Sequence, residues 1–304
     1  MRDRRNAGKA FSRAGIGYGA FLLATFILQI QAGTAAAVLS GFGVEIVYGD
    51  WFMIGTSLAN YGFGGIITYL IVKDMPVSRI PAVRKAGAGM LGAAFLVCLS
   101  ALFFGNLIGQ ALMSLVSALQ GKPMVNPVAE ILEGLSVWAI FVTMVVMAPI
   151  CEEIFYRKIL IDRLKLYGDK AAILVSALVF ALSHGNFYQF FYAFGIGLVL
   201  GYVYIRTGRL GYTIWFHMMI NFLGSIVALY VAESAWLLSI YTIFMLGAVI
   251  AGTVLLFISR KKLILDPGVE EVWGKGAFRV FFLNAGMILF ALASAAIFVI
   301  SEIS

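Results

Sequence analysis

Residues 131–157 read ILEGLSVWAIFVTMVVMAPICEEIFYR. The part over 131–151 suits a membrane-crossing helix, which needs about 20 mainly apolar residues. Glu152, Glu153 and Arg157 follow it directly. Ionisable groups beside or within a span are costly unless they face a protein interior or a wet cavity. One segment thus announces a membrane span and the polar exception that gives it a purpose. Eight further stretches read as spans: 14–39, 51–72, 88–119, 171–186, 188–205, 212–232, 236–259 and 280–301. The third is long enough to tilt or to end in an amphipathic turn, and 171–186 is short. The expectation is an all-α polytopic transmembrane helix bundle of about nine spans (eight to nine), forming a single integral membrane domain over 1–304. Residues 120–130, with two prolines, read as a loop.

The composition agrees. Of 304 residues, 62% are hydrophobic and 12% charged, with a mean hydropathy of +0.97. A soluble domain is nearer 45–50% apolar and about 25% charged. This excludes a soluble globular enzyme, a disordered chain and a nucleic-acid binder, despite a net charge of +7. Cys98 and Cys151 supply neither a disulfide framework nor a cysteine metal site. The chain has no repeat and no low-complexity tract.

Basic residues set the orientation. Five precede the first span, namely Arg2, Arg4, Arg5, Lys9 and Arg13. Four lie in 73–87 (Lys73, Arg79, Arg84, Lys85) and five in 157–170 (Arg157, Lys158, Arg163, Lys165, Lys170). Two lie in 206–209 (Arg206, Arg209) and five in 260–279 (Arg260, Lys261, Lys262, Lys275, Arg279). Only Lys122 falls on the other side. Nine spans with a cytoplasmic N-terminus alternate correctly by the positive-inside rule, which implies a multi-pass protein of the cell membrane whose basic rim meets anionic lipid headgroups. The first apolar stretch, about 25 residues long, exceeds a signal peptide's h-region and reads as a retained helix.

Four ionisable groups in or beside spans stand out: Glu152, Glu153, His184 and His217, the last two being the only histidines. Glu153 and Arg157 are four apart and can pair on one helix face, while Glu152 points about 100° away. His217 and Asn221 share a face, as do Phe180 and His184. A helix bundle can gather such groups in a core cavity. There a Glu can act as general base on water. Two imidazoles can bind a metal or hold an oxyanion, and Asn221 can donate to the same oxyanion. No His-Glu-x-x-His motif occurs. Other features read as packing or belt. These are Gly197-x-x-x-Gly201 and Gly62, Gly64 and Gly65 as helix notches, Cys151 as a small packing residue, and Trp51, Trp215, Trp236 and Trp273 as an interfacial belt, with Trp215 also a neighbour of His217.

These residues carry a resemblance. Glu152-Glu153-Ile-Phe-Tyr-Arg157 resembles the Glu-Glu-x-x-x-Arg motif of the CPBP family of intramembrane proteases, the CAAX prenyl endopeptidases and bacteriocin-processing enzymes. Phe180-Ala-Leu-Ser-His184 resembles its Phe-x-x-x-His motif, and His217-Met-Met-Ile-Asn221 its His-x-x-x-Asn motif. Together they span roughly residues 149–221, inside a catalytic helix core at 131–232. The resemblance implies an intramembrane endopeptidase of CAAX or bacteriocin-processing type, acting on a peptide or lipidated protein. Glu152 would activate water, supported by Glu153 and Arg157. His184 and His217 would complete the site, with Asn221 stabilising the oxyanion. Both a metal-free glutamate protease and a zinc protease with His184, His217 and Glu152 as ligands stay open. The rival class is a non-proteolytic scaffold or a transporter using the same cluster, although a transporter would favour internal repeats. For Glu152 and His184 to reach one depth, the helix at 131–151 must run on to about Leu164, with Pro149 permitting a bend. The cavity is expected to open toward the cytoplasm. Neither the substrate nor the oligomeric state is legible.

Overall fold

A computed structural model describes residues 2–43, 49–78, 80–81, 86–268 and 276–303. Among them every regular element is helical and no strand occurs. The helices are α1 (Arg2–Gly41), α2 (residues 50–72), α3 (Ala88–Gln120), α4 (Pro127–Gly134), α5 (Val137–Tyr167), α6 (Asp169–Leu182), α7 (Phe187–Thr207), α8 (Leu210–Ala232), α9 (Ala235–Ser259), α10 (Ala277–Phe281) and α11 (Ala285–Ile303). Arg79, Arg84, Lys85 and Lys275 of the basic loops, and Trp273 of the expected belt, lie outside the described residues.

Among the described residues, six helices are long and apolar enough to cross a membrane: α1, α3, α5, α7, α8 and α9. The chain is a polytopic helical membrane protein. Three of the nine expected spans, 51–72, 171–186 and 280–301, fall on helices outside this set. α11 carries a 17-residue apolar helix over Ala285–Ser301. α6 has only 14 residues, about 21 Å of helix against a hydrocarbon core of about 30 Å, so the expected span at 171–186 stops part-way. Gly185 ends it, with φ of +70° that only glycine adopts freely. The continuation of α5 past residue 151 holds, with α-helix again over Asp162–Leu164.

Small residues set the packing, as membrane helices require. α3 lies against α7 and α9, α1 against α2 and α11, and α6 against α7 and α5. A β-carbon on Gly105 or Gly109 of α3 would strike the α7 backbone at Tyr192 or Phe187. Gly197 and Gly201 face Ala177 and Ile173 of α6, and Gly64 and Gly65 face Phe21 and Phe155, all as notches. Gly62 faces open space instead.

The two ends of the bundle differ. At the end carrying the basic loops, Tyr156, Leu160, Ile161 and Leu164 of α5 pack with Ala171, Ala172 and Val175 of α6 and with Tyr204 of α7 in the main core. Arg157, counted in the sequence with that end's loop charges, is instead wholly buried, because its guanidinium is consumed by an internal ion pair. The opposite end is looser. There Ser136 donates to Asp50 from its backbone N–H (2.9 Å) and hydroxyl (2.6 Å), clasping α2 to the start of α5. The Tyr188 hydroxyl donates to the Met124 carbonyl at 2.9 Å, pinning the loop before α4. Trp51, Trp215 and Trp236 are well exposed, as a belt requires.

Candidate active site

The site begins with a proline. Pro149 lies inside α5 and has no N–H to donate. The turn before it, Phe141–Met147, opens into a π-helix, and a second π stretch follows at Glu153–Ile161. In a π-helix the Met144 carbonyl would look to the N–H five residues on, which Pro149 lacks. The Asn221 amide from α8 fills the vacancy, donating to Met144 O at 2.8 Å. Two further π stretches, Asn60–Gly64 in α2 and Leu223–Val227 in α8, contain Tyr61 and follow Asn221. The stretches at Phe141–Met147 and Leu223–Val227 contribute Met144, Gly224 and Ser225 to one cavity wall, a common use of π-bulges.

Glu152 and Glu153 have separate fates. Glu153 is fully buried and forms an ion pair with the equally buried Arg157, Oε2 to Nε at 3.0 Å. The other Glu153 oxygen accepts from His217 Nδ1 at 3.1 Å. Arg157 also donates from Nη1 to the Ser176 hydroxyl (3.1 Å), which in turn donates to the Tyr156 carbonyl (2.7 Å). Its guanidinium lies 5.0 Å from the centre of the Phe180 ring. Removing either member of such a buried pair strands an uncompensated charge. Glu152, by contrast, faces a cavity of about 520 Å³ with its side chain 16% exposed. Its Oε1 accepts from the Tyr61 hydroxyl at 2.8 Å. Its Oε2 lies 3.6 Å from His217 Nε2.

His184 sits in the turn just past the end of α6. Its Nδ1 lies 2.9 Å from the Phe180 carbonyl, one of the carbonyls a helix C-terminus leaves open. With Nδ1–H donating there, Nε2 is the acceptor. Asn186, the N-cap of α7, fixes this turn by donating to the His184 carbonyl at 2.9 Å and accepting from Gln189 N at 2.9 Å. Phe180 stands edge-on to both imidazoles, 4.8 Å from His184 and 5.7 Å from His217 between ring centres.

The cavity walls include Glu152, His184, His217 and Asn221 together. Glu153 and Arg157 stand behind this wall and hold His217 rather than line it. Tyr61, in the expected span 51–72, was not among the candidates read from the sequence. Its signal was a hydroxyl within an apolar run, beside glycines that drew the attention instead. For zinc, Glu152 and His217 are near enough to share an ion. Among the described residues, however, no group of three His, Cys, Asp or Glu converges as a metal site, so the arrangement does not fit a three-ligand centre.

The cavity extends beyond these groups. Its remaining walls come from Asn126, Val128, Ala129 and Leu132 around α4, Asn106 and Gln110 on α3, and Tyr241 on α9. These lie toward the end opposite the basic loops. Tyr156, Ile161 and Leu164, in and after the π stretch that follows Glu152, pack into the core at the basic end.

Residues 134–223 match the family model of the Rce1-like type II CAAX prenyl endopeptidases. This segment is Rce1-like. It contains all three motifs and every cavity residue named from α5, α6, α7 and α8, whereas Tyr61, Asn106 and Gln110 lie outside it. The membrane-embedded CAAX protease MroQ of Staphylococcus aureus (strain USA300) is 30% identical over 127 residues, 38% of this chain and 51% of that protein. The chain thus aligns with about half the length of this curated relative. No solved structure matches.

Proposed function

We propose that the chain is an intramembrane endopeptidase in which Glu152 activates water, seated in the cell membrane with its N-terminus cytoplasmic. What supports this is the convergence of three motif-bearing helices on one cavity, with Glu152 3.6 Å from His217. In this reading the attacking water donates one hydrogen to Glu152 Oε2 and the other to His184 Nε2. As its oxygen bonds to the scissile carbonyl carbon, Glu152 takes the proton and the carbonyl electron pair moves onto oxygen. His217, flanked by Glu152 and Glu153, donates from Nε2 to that oxyanion. The second amide N–H of Asn221, not used on Met144, joins it. When the tetrahedral adduct collapses, the C–N bond breaks and Glu152 returns its proton to the leaving amine. Glu153 and Arg157 position His217, and Tyr61 fixes the Glu152 carboxylate so that one oxygen faces the reaction. The substrate in this reading is a membrane-associated or lipidated peptide.

The test is cleavage of quenched-fluorescent peptides by purified protein in liposomes, with cut sites read by mass spectrometry. Glu152→Ala and His184→Ala should each abolish cleavage while leaving a folded, monodisperse protein. Retained cleavage in Glu152→Ala would falsify the mechanism. Cleavage should survive a chelator. Loss on chelation with recovery on adding zinc would recast Glu152, His184 and His217 as ligands.

A further inference from the structure

Asn106 and Gln110 are four residues apart in α3 and share one face. Both line the cavity. Around them α3 is apolar, with Leu102, Phe103, Leu107 and Ile108. Both amides are exposed, and neither is paired with another described residue. Amide groups left without partners at an apolar surface are costly, so a pair kept on the wall that leads to Glu152 suits a ligand that completes their hydrogen bonds.

Their spacing narrows that ligand. Four residues of helix rise about 6 Å. An extended chain presents an N–H and C=O pair on the same edge every two residues, about 6.7 Å apart. Each side-chain amide can donate to such a carbonyl and accept from such an N–H. A strand laid along α3 would therefore meet both amides nearly in register. The residues lining the cavity include no Lys or Arg, so no permanent cation there holds a free terminal carboxylate, and Glu152 repels one.

We infer that this face of α3 is a backbone-recognition subsite, where Asn106 and Gln110 hold an extended, uncharged peptide segment arriving from the end opposite the basic loops. The inference deepens the protease reading and rests on it. The segment is bound through its main chain, internal to the substrate rather than at its C-terminal carboxylate.

Two measurements test it. First, Asn106→Cys and Gln110→Cys are made one at a time in a Cys98→Ala, Cys151→Ala background and probed with a membrane-impermeant maleimide in oriented membrane vesicles. Lys122→Cys and Arg206→Cys, both at exposed positions, mark the two sides. Positions 106 and 110 should label in the vesicles that label 122. Labelling together with 206, or from neither side, overturns the inference. Second, on any peptide the wild type cleaves, Asn106→Leu with Gln110→Leu should raise KM about tenfold or more, with a smaller fall in kcat. C-terminally amidated peptides should be cleaved at least as well as their free acids. An unchanged KM, or a strong preference for the free acid, overturns the subsite while leaving the protease intact. A wild type that cleaves no peptide removes the protease reading and the subsite with it, although the labelling still reports the side of access.

Discussion

Two adjacent carboxylates in one motif do unlike work because of what surrounds each oxygen. Glu153 spends both oxygens on Arg157 and His217 inside the protein. Glu152 spends one on Tyr61 and turns the other toward His217 and the cavity. This division was legible in part, since neighbours in a helix point in different directions, and the i,i+4 pairing of Glu153 with Arg157 followed from spacing alone. Tyr61 was not legible, because contact between residues 91 positions apart leaves no local pattern. We expect Tyr61→Phe to lower kcat/KM roughly tenfold to a hundredfold, the scale of one hydrogen bond to a charged group. An unchanged kcat/KM in the Tyr61→Phe protein would reduce Tyr61 to packing.

Among the elements, α3 and α5 decide whether a cavity exists at all. α3 reaches α7 through Gly105 and Gly109, whose missing side chains let the two backbones meet beside Tyr192. Gly105→Ala should push them apart and destabilise the protein by about 1–3 kcal/mol, as overpacking does. A thermal melt in detergent reads this directly, and an unchanged melt would show that α3 can shift freely. At the far end, the Ser136 hydrogen bonds to Asp50 hold that carboxyl below the usual aspartate range. A carboxyl so depressed contributes stability above its ordinary pKa and loses it as pH falls through the native value. The gap in melting temperature between wild type and Asp50→Asn should therefore be full at neutral pH and vanish in acid. A gap that does not change with pH would mean that the clasp owes nothing to the charge. The π stretches escaped the sequence reading. Hydropathy marks where a helix runs and not how many residues it takes per turn, and Pro149 suggested only a bend.

For the molecule as a whole, apolar runs announced a helical membrane protein, and the three motifs singled out residues that the fold brings to one cavity. The span count was less legible, because a short apolar run such as 171–186 has the composition of a span without the length. Loop charge was the only clue to sidedness, and it says nothing about which half of the bundle is filled. The proposed orientation is checked by inserting an export-dependent phosphatase after Gly121 or after Gly208. The first should be active and the second silent, and the reverse would invert the orientation and the side from which a substrate arrives.

The abbreviated α6 has a physical consequence for the lipid around it. A helix of about 21 Å next to neighbours that run further is shorter than a hydrocarbon core of about 30 Å, so a cavity at its end is a dent in the slab and water need not cross the full oily layer to fill it. The dent has a fixed depth, but the bilayer does not. Longer acyl chains would bury its rim and shorter ones would lower the surface to meet it, each at a cost that rises with every ångström of mismatch. On the protease reading, hydrolytic rate should then vary with membrane thickness, because the lipid composition of the host sets the water supply of the site.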